Sequence, residues 1–99
     1  MVNIGWTQIA LDDLKEIYEY IEVDSKMYAE RTIKSITNKV QRLVNDPKSG
    51  SFVPEIEREN IRQLIVVRYR VIYKIVDSEA IEILTIHHSS RDLTKRNID

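Results

Sequence analysis

Tyr69-Arg70-Val71-Ile72-Tyr73-Lys74-Ile75-Val76 is the stretch on which the fold turns. It is rich in β-branched and aromatic residues, which suit a pleated, half-buried surface. Its period is two, so Tyr69, Val71, Tyr73 and Ile75 share one side and Arg70, Ile72 and Lys74 the other. The stretch predicts a strand over 69–76 whose apolar side meets helices and whose Arg70 and Lys74 line an open face. Residues 61–67 and 80–87 have the same composition and predict two more strands. Asp77-Ser78-Glu79 supplies the turn into the last of them. The turn at Val67-Arg68 must be tight and contains no glycine. In the last strand, simple alternation puts Leu84, Ile86 and His88 on one side and Ile83, Thr85 and His87 on the other. Both sides are largely apolar, which predicts a central position in the sheet.

Upstream the period changes to that of a helix. Residues 2–6 predict a short strand, and Thr7 can cap the helix that follows. Ile9, Ala10, Leu14, Ile17, Tyr18 and Ile21 recur at three- and four-residue spacing, predicting a helix over 8–23. Asp24-Ser25 offers a second cap, and Ala29, Ile33, Ile36, Val40, Leu43 and Val44 mark a helix over 26–45. Asn45-Asp46-Pro47 stops it, because proline cannot continue a helix. Residues 47–60 predict a loop. The order is β-α-α-β-β-β. A helical hairpin must bury its apolar stripe, which gives a two-layer α+β domain: the hairpin packed on a mostly antiparallel four-stranded sheet. Residues 1–99 make one domain, with a polar tail from about residue 89.

Composition narrows the function. Apolar residues are 42% and charged residues 31% of the 99, an ordinary globular balance. No run approaches the ~20 apolar residues of a membrane span. Met1-Val2-Asn3-Ile4-Gly5-Trp6 has neither the basic nor the apolar region of a signal peptide. The absence of cysteine excludes disulfides, thiolate chemistry and cysteine-based zinc sites. These observations predict a cytoplasmic protein without membrane contact, metal or cofactor. The net charge of −1 hides a gradient: residues 1–60 hold eight Lys/Arg and eleven Asp/Glu, residues 61–99 seven and five. The cations of the second part gather at Arg62, Arg68, Arg70, Lys74, Arg91, Lys95 and Arg96. That is a local patch, not the general basicity of a sequence-independent DNA binder.

Few residues carry chemistry. His88, followed closely by Arg91, can bind a phosphate or carboxylate, or His87 and His88 can simply end a strand and bond the tail backbone. Adjacent strand residues point to opposite faces, so one metal ion cannot use both histidines. Glu55, after Pro54, is either a site carboxylate or a solvated loop residue.

The chain resembles the RelE/ParE superfamily of toxins from bacterial type II toxin–antitoxin modules. The resemblance runs through Trp6-Thr7, Ala10, Asp13-Leu14, Ile17 and Tyr20-Ile21, then Pro47, Gly50, Val53-Pro54-Glu55 and Ile61-Arg62-Gln63-Leu64. Tyr69 to Ile75 is its strongest segment, and Ile83-Leu84-Thr85-Ile86-His87-His88-Ser89-Ser90-Arg91-Asp92-Leu93 closes it. The resemblance implies a growth-inhibiting toxin held in a hetero-oligomer by a cognate antitoxin. RelE-like members cut messenger RNA on the ribosome, and ParE-like members poison DNA gyrase. For RNA cleavage without a metal, the resemblance offers Glu55, Arg70 and His88 as catalytic residues. For target binding it offers Arg62, Arg70, Lys74, His88 and Arg91. The lysine-rich loop and C-terminal tyrosine typical of RelE are missing. Glu55, Glu57 and Glu59 stand in the loop with only Arg58, which suits ribosomal RNA poorly. The ending from His88 to Leu93 is closer to ParE. The expectation is therefore a ParE-like gyrase poison, with a RelE-like mRNA endonuclease, or a degenerate toxin that only binds antitoxin, as the alternatives.

Overall fold

Thr7 starts the first helix by the means its side chain allows. Its backbone is extended and its Oγ1 accepts the Ala10 N–H at 3.1 Å. The same hydroxyl donates to the carbonyls of Ile83 and Leu84, at 2.8 and 3.0 Å, pinning the helix start to the sheet. Ser25 repeats the device, its Oγ accepting the Tyr28 N–H at 3.1 Å. The computed structural model describes residues 1–89. In order, these form β1 (Asn3–Trp6), α1 (Gln8–Glu22), α2 (Lys26–Gln41), β2 (Ser51–Phe52), β3 (Ile61–Val66), β4 (Tyr69–Asp77) and β5 (Ala80–His88). A tighter 3₁₀ turn, Arg42–Val44, extends α2 toward Pro47.

The expected two-layer α+β arrangement is the observed one. The sheet order is β1-β5-β4-β3-β2, with β1 parallel to β5 and every other pair antiparallel. The described residues form five strands, not four, because Ser51 and Phe52 of the predicted loop pair with Gln63 and Arg62. Two paired residues are too few to leave a periodic signal. The main core lies between hairpin and sheet: Ala10, Ile17, Ile36, Val40 and Leu43 from the helical side meet Leu64, Val71, Tyr73, Ile83 and Ile86. Each fully buried aliphatic side chain there contributes about 1.5–3 kcal/mol.

Two expectations about the sheet are corrected. Simple alternation fails in β5. Ile72 pairs with Thr85 but Tyr73 with Ile83, so Leu84 is an extra residue, a β-bulge. The bulge brings both Ile83 and Ile86 to the helix-side core and sends Leu84 to the opposite face. That opposite face is also not open. Val53 and Ile56, from the loop before β3, fold over it and form a second core with Ile61, Ile72 and Leu84. A face carrying three aliphatic side chains gains more from this cover than from water.

Tyr73 ties the loop down. Its ring is fully buried; its hydroxyl donates to the Pro47 carbonyl at 2.8 Å and accepts the Gly50 N–H at 3.0 Å. Gly50 is required by proximity: a Cβ there would stand 2.6 Å from the Tyr73 hydroxyl and from the Gln63 carbonyl. Tyr73→Phe strands the buried Gly50 N–H and the half-buried Pro47 carbonyl and is expected to cost about 1–3 kcal/mol, read from the urea midpoint. Burial pushes the Tyr73 phenol above its ordinary value of 10.0. The stability linked to its protonated form is therefore complete below that value and is lost as pH rises through the folded-state value. Tyr73→Phe should be less sensitive to alkali.

Candidate functional site

Arg70 is the residue whose position changes most on folding. Alternation places it on the sheet face away from the helices, and the covering loop makes that face an interior. Arg70 is 5% exposed. Its guanidinium forks onto Glu55, Nη1 donating to Oε2 at 2.7 Å and Nη2 to Oε1 at 2.8 Å, while Nε donates to Gln63 Oε1 at 2.8 Å. Arginine suits this place because its planar fork matches a carboxylate. The expectation of Arg70 on an open face is corrected: apolar cover was available in the loop, and Glu55 came with it.

The other expected residues do not join this pair. Arg62 holds the loop, its Nη1 donating to the carbonyls of Gly50 at 2.8 Å and Lys48 at 3.3 Å. Its guanidinium lies 4.5 Å from the centre of the Phe52 ring, a cation–π contact. Lys74 is half-buried between Ile61 and Glu82 on the neighbouring strands. His88 is exposed and stands opposite Tyr69, with ring centres 5.9 Å apart and planes at 77°. Tyr69 belongs to the helix side, whereas Arg70 stands opposite His87 on the other side. The sheet thus separates His88 from the Glu55–Arg70 pair. Arg91 lies outside the described residues, as does the tail from residue 90.

The sequence reading overlooked Asp13, which is buried although charged. β1 stops pairing with β5 at Ile83, so among the described residues the edge of β5 beyond it has no strand neighbour there. Asp13 fills that gap from α1. Its Oδ2 accepts the Ile86 N–H at 2.9 Å and the Thr85 hydroxyl at 2.6 Å, and Thr85 Oγ1 lies 3.2 Å from His87 Nε2. Thr85, having donated its only proton to Asp13, accepts from His87 in this chain. A signal was present: Asp13 falls three residues after Ala10 and four before Ile17, inside the buried stripe.

These elements leave a cleft of about 430 Å³ between α1 and the end of β5, lined by Asp13, Glu16, Ile17, Tyr20, Tyr69 and both histidines. A second hollow of about 300 Å³ continues it past Tyr69 and His88 toward Asp24, Tyr28 and Val67. Tyr20 and Tyr28 of its lining are exposed, Tyr20 by 79%, and so are Val23 and Met27, close to them in sequence around the α1–α2 turn, Val23 by 84%. So much apolar surface at one end of a small domain marks a place for another molecule. Val67, in the turn joining β3 to β4, has φ of 57°, a left-handed conformation that is strained for a β-branched residue. Among the described residues no three metal-ligating side chains come together, and no helix is long and apolar enough to cross a membrane.

Comparison with known proteins adds three findings. The family model described as "ParE toxin of type II toxin-antitoxin system, parDE" matches residues 4–93. No curated protein matches the chain. Among solved structures, the fold is similar to a chain of the chromosomal ParDE toxin–antitoxin system from P. aeruginosa. The two share 24% identity over 89% of this chain and 96% of that one, with a TM-score of 0.72.

Proposed function

Because the chain belongs to the ParE toxin family of type II toxin–antitoxin systems, we propose that it acts by binding rather than by catalysis, on DNA gyrase in the cytoplasm, and that a cognate protein antitoxin neutralises it in a hetero-oligomer. The observation that carries the reading is the separation of His88 from Glu55 and Arg70 across the sheet. Metal-independent RNA cleavage through the 2′-OH needs a base, an acid and a cation around one phosphate. Here both Glu55 oxygens are engaged by Arg70 inside the loop, and His88 faces the other way. The accessible surface is instead apolar and aromatic, at the closed end of the hairpin. That surface suits a protein partner. Of the residues expected to bind a target, His88 and Lys74 remain accessible, Arg62 and Arg70 serve the loop, and Arg91 belongs to the tail beyond the described residues.

The deciding experiment pairs two assays on purified protein. Supercoiling by gyrase is expected to fall in proportion to added protein, with cleaved DNA trapped, while ribosome-bound mRNA stays intact. Removing residues 91–99 is expected to weaken gyrase inhibition more than neutralising either Glu55 or His88. Codon-phased mRNA cleavage that drops ~10²–10⁴-fold in His88→Ala, the usual contribution of an acid or base, would overturn the reading.

A further inference from the structure

The closed end of the hairpin combines three features that come from different parts of the chain. Tyr20 and Tyr28 from the two helices meet Tyr69 from β4 around one hollow. Their proximity is also electrical: after burial, the phenols of Tyr28 and then Tyr20 raise the pKa of Tyr69. Carboxylates border the same space, Asp13 and Glu16 in the cleft and Asp24 beside the hollow, against Arg68 as the one Lys or Arg among the described residues of the lining. The rest of α1 strengthens that sign, since it adds three carboxylates, Asp12, Glu19 and Glu22, against one lysine. Finally, Val67 lines the hollow with exposed aliphatic surface and is held there in a strained conformation, and Val23 and Met27, next in sequence to Asp24 and Tyr28 of the lining, are exposed as well. Strain of that kind persists where the surrounding structure or a function requires it.

We propose that this cleft receives a basic side chain, best an arginine, carried on an apolar segment of the antitoxin, the cation lying among the rings of Tyr20, Tyr28 and Tyr69 with Glu16 and Asp24 as counter-charges. The inference rests on the proposed toxin–antitoxin pairing and adds the chemistry that the partner must present. Tyrosine faces attract a cation through their quadrupoles, and a guanidinium is planar and weakly hydrated, so it stacks where an ammonium would stay solvated. The surrounding aliphatic surface exposes too much apolar area for a free charged ligand and fits flanking leucine- or valine-like residues. Because the rings and carboxylates come from α1, the turn after it, α2 and β4, a segment bound there would tie the closed end of the hairpin to the sheet.

Two measurements test this. First, a capped peptide Ac-Leu-Arg-Leu-Leu-NH₂ is titrated into the full chain and followed by NMR, with the citrulline peptide, of the same shape but uncharged, as control. Ring protons of Tyr20, Tyr28 and Tyr69 are expected to shift with the arginine peptide, and much less with citrulline or at high salt. Equal shifts from both peptides, or none from either, would overturn the proposal. Second, affinity for the antitoxin is measured for Tyr20→Ala and Glu16→Lys, both at exposed positions, and for Glu59→Lys, the same charge change in the distant loop. The first two are expected to weaken binding about ten- to thirtyfold, as losing a partly desolvated cation–π contact would, with Glu59→Lys within about threefold. Tight antitoxin binding left unchanged by both cleft variants would overturn the proposal while leaving the pairing intact. No binding by the unmodified chain would remove the pairing itself, and with it the antitoxin as occupant; the peptide titration alone then decides the chemistry of the cleft.

Discussion

Arg70→Ala is expected to lower the stability of the folded chain by about 2–4 kcal/mol. The cost comes from what remains: Glu55, its side chain only 20% exposed, would keep a charge without the fork that holds it. Breaking a buried ion pair from one side typically costs about 3–5 kcal/mol. The partial exposure of Glu55 places this pair toward the lower end. In a domain of this size 1 kcal/mol corresponds to about 4–8 °C in Tm, so the midpoint should fall by about 8–30 °C. Replacing both partners, Arg70→Met with Glu55→Leu, should recover most of the loss, because two apolar groups of similar volume strand no charge. The pair also separates two roles. If it only holds the loop over Ile72, the folded double variant remains toxic to cells. If Arg70 itself contacts the target, that variant is folded and harmless. Toxicity lost in Arg70→Ala alone would not distinguish them. Full stability of Arg70→Ala would show that the loop does not depend on the pair.

Asp13→Ala should cost about as much, roughly 2–4 kcal/mol, by a different route. The variant leaves the Ile86 N–H and the Thr85 hydroxyl buried without their acceptor, and each such group costs about 1–3 kcal/mol. It also uncovers the strand edge that β1 leaves unpaired beyond Ile83, and a bare edge is a template for pairing with another chain. Faster aggregation should therefore accompany the loss. Hydrogen exchange gives the sharpest reading: the Ile86 amide should lose its protection in Asp13→Ala while the amides of Leu64 and Val71 in the sheet centre keep theirs. Asp13→Asn retains an acceptor oxygen and should cost less. An Ile86 amide equally protected in all three proteins would mean that Asp13 does not close the edge.

Both effects concern residues whose charge, read along the chain, suggested solvent. Alternation alone puts Arg70 on an open face, because the loop before β3 has no periodicity to announce that it packs. Val53 and Ile56 were the available clue, two aliphatic residues three apart in an otherwise polar stretch. The acid–base–cation set of Glu55, Arg70 and His88 was a set by resemblance; folding joined two of its members and put the third across the sheet. The cleft at the closed end of the hairpin had no sequence signal, because its tyrosines at 20, 28 and 69 are assembled only when α1, α2 and β4 converge.

What the sequence alone determined is what short-range physics writes along the chain. Helical periodicity and the hydroxyls of Thr7 and Ser25 set both helices. Alternation set β4, and the number and order of these elements left one economical way to bury a helical hairpin on a sheet. Tertiary structure alone decided the rest: the bulge at Leu84, the folding of the loop over the second sheet face, and the burial of Asp13 and Arg70. Each of these depends on groups far apart in sequence, such as Asp13 with Ile86 or Tyr73 with Pro47, satisfying one another. A local pattern records the propensity and polarity of a residue. It does not record which distant donor, acceptor or apolar surface will be within reach, and for a buried charge that neighbour decides whether burial costs or stabilises.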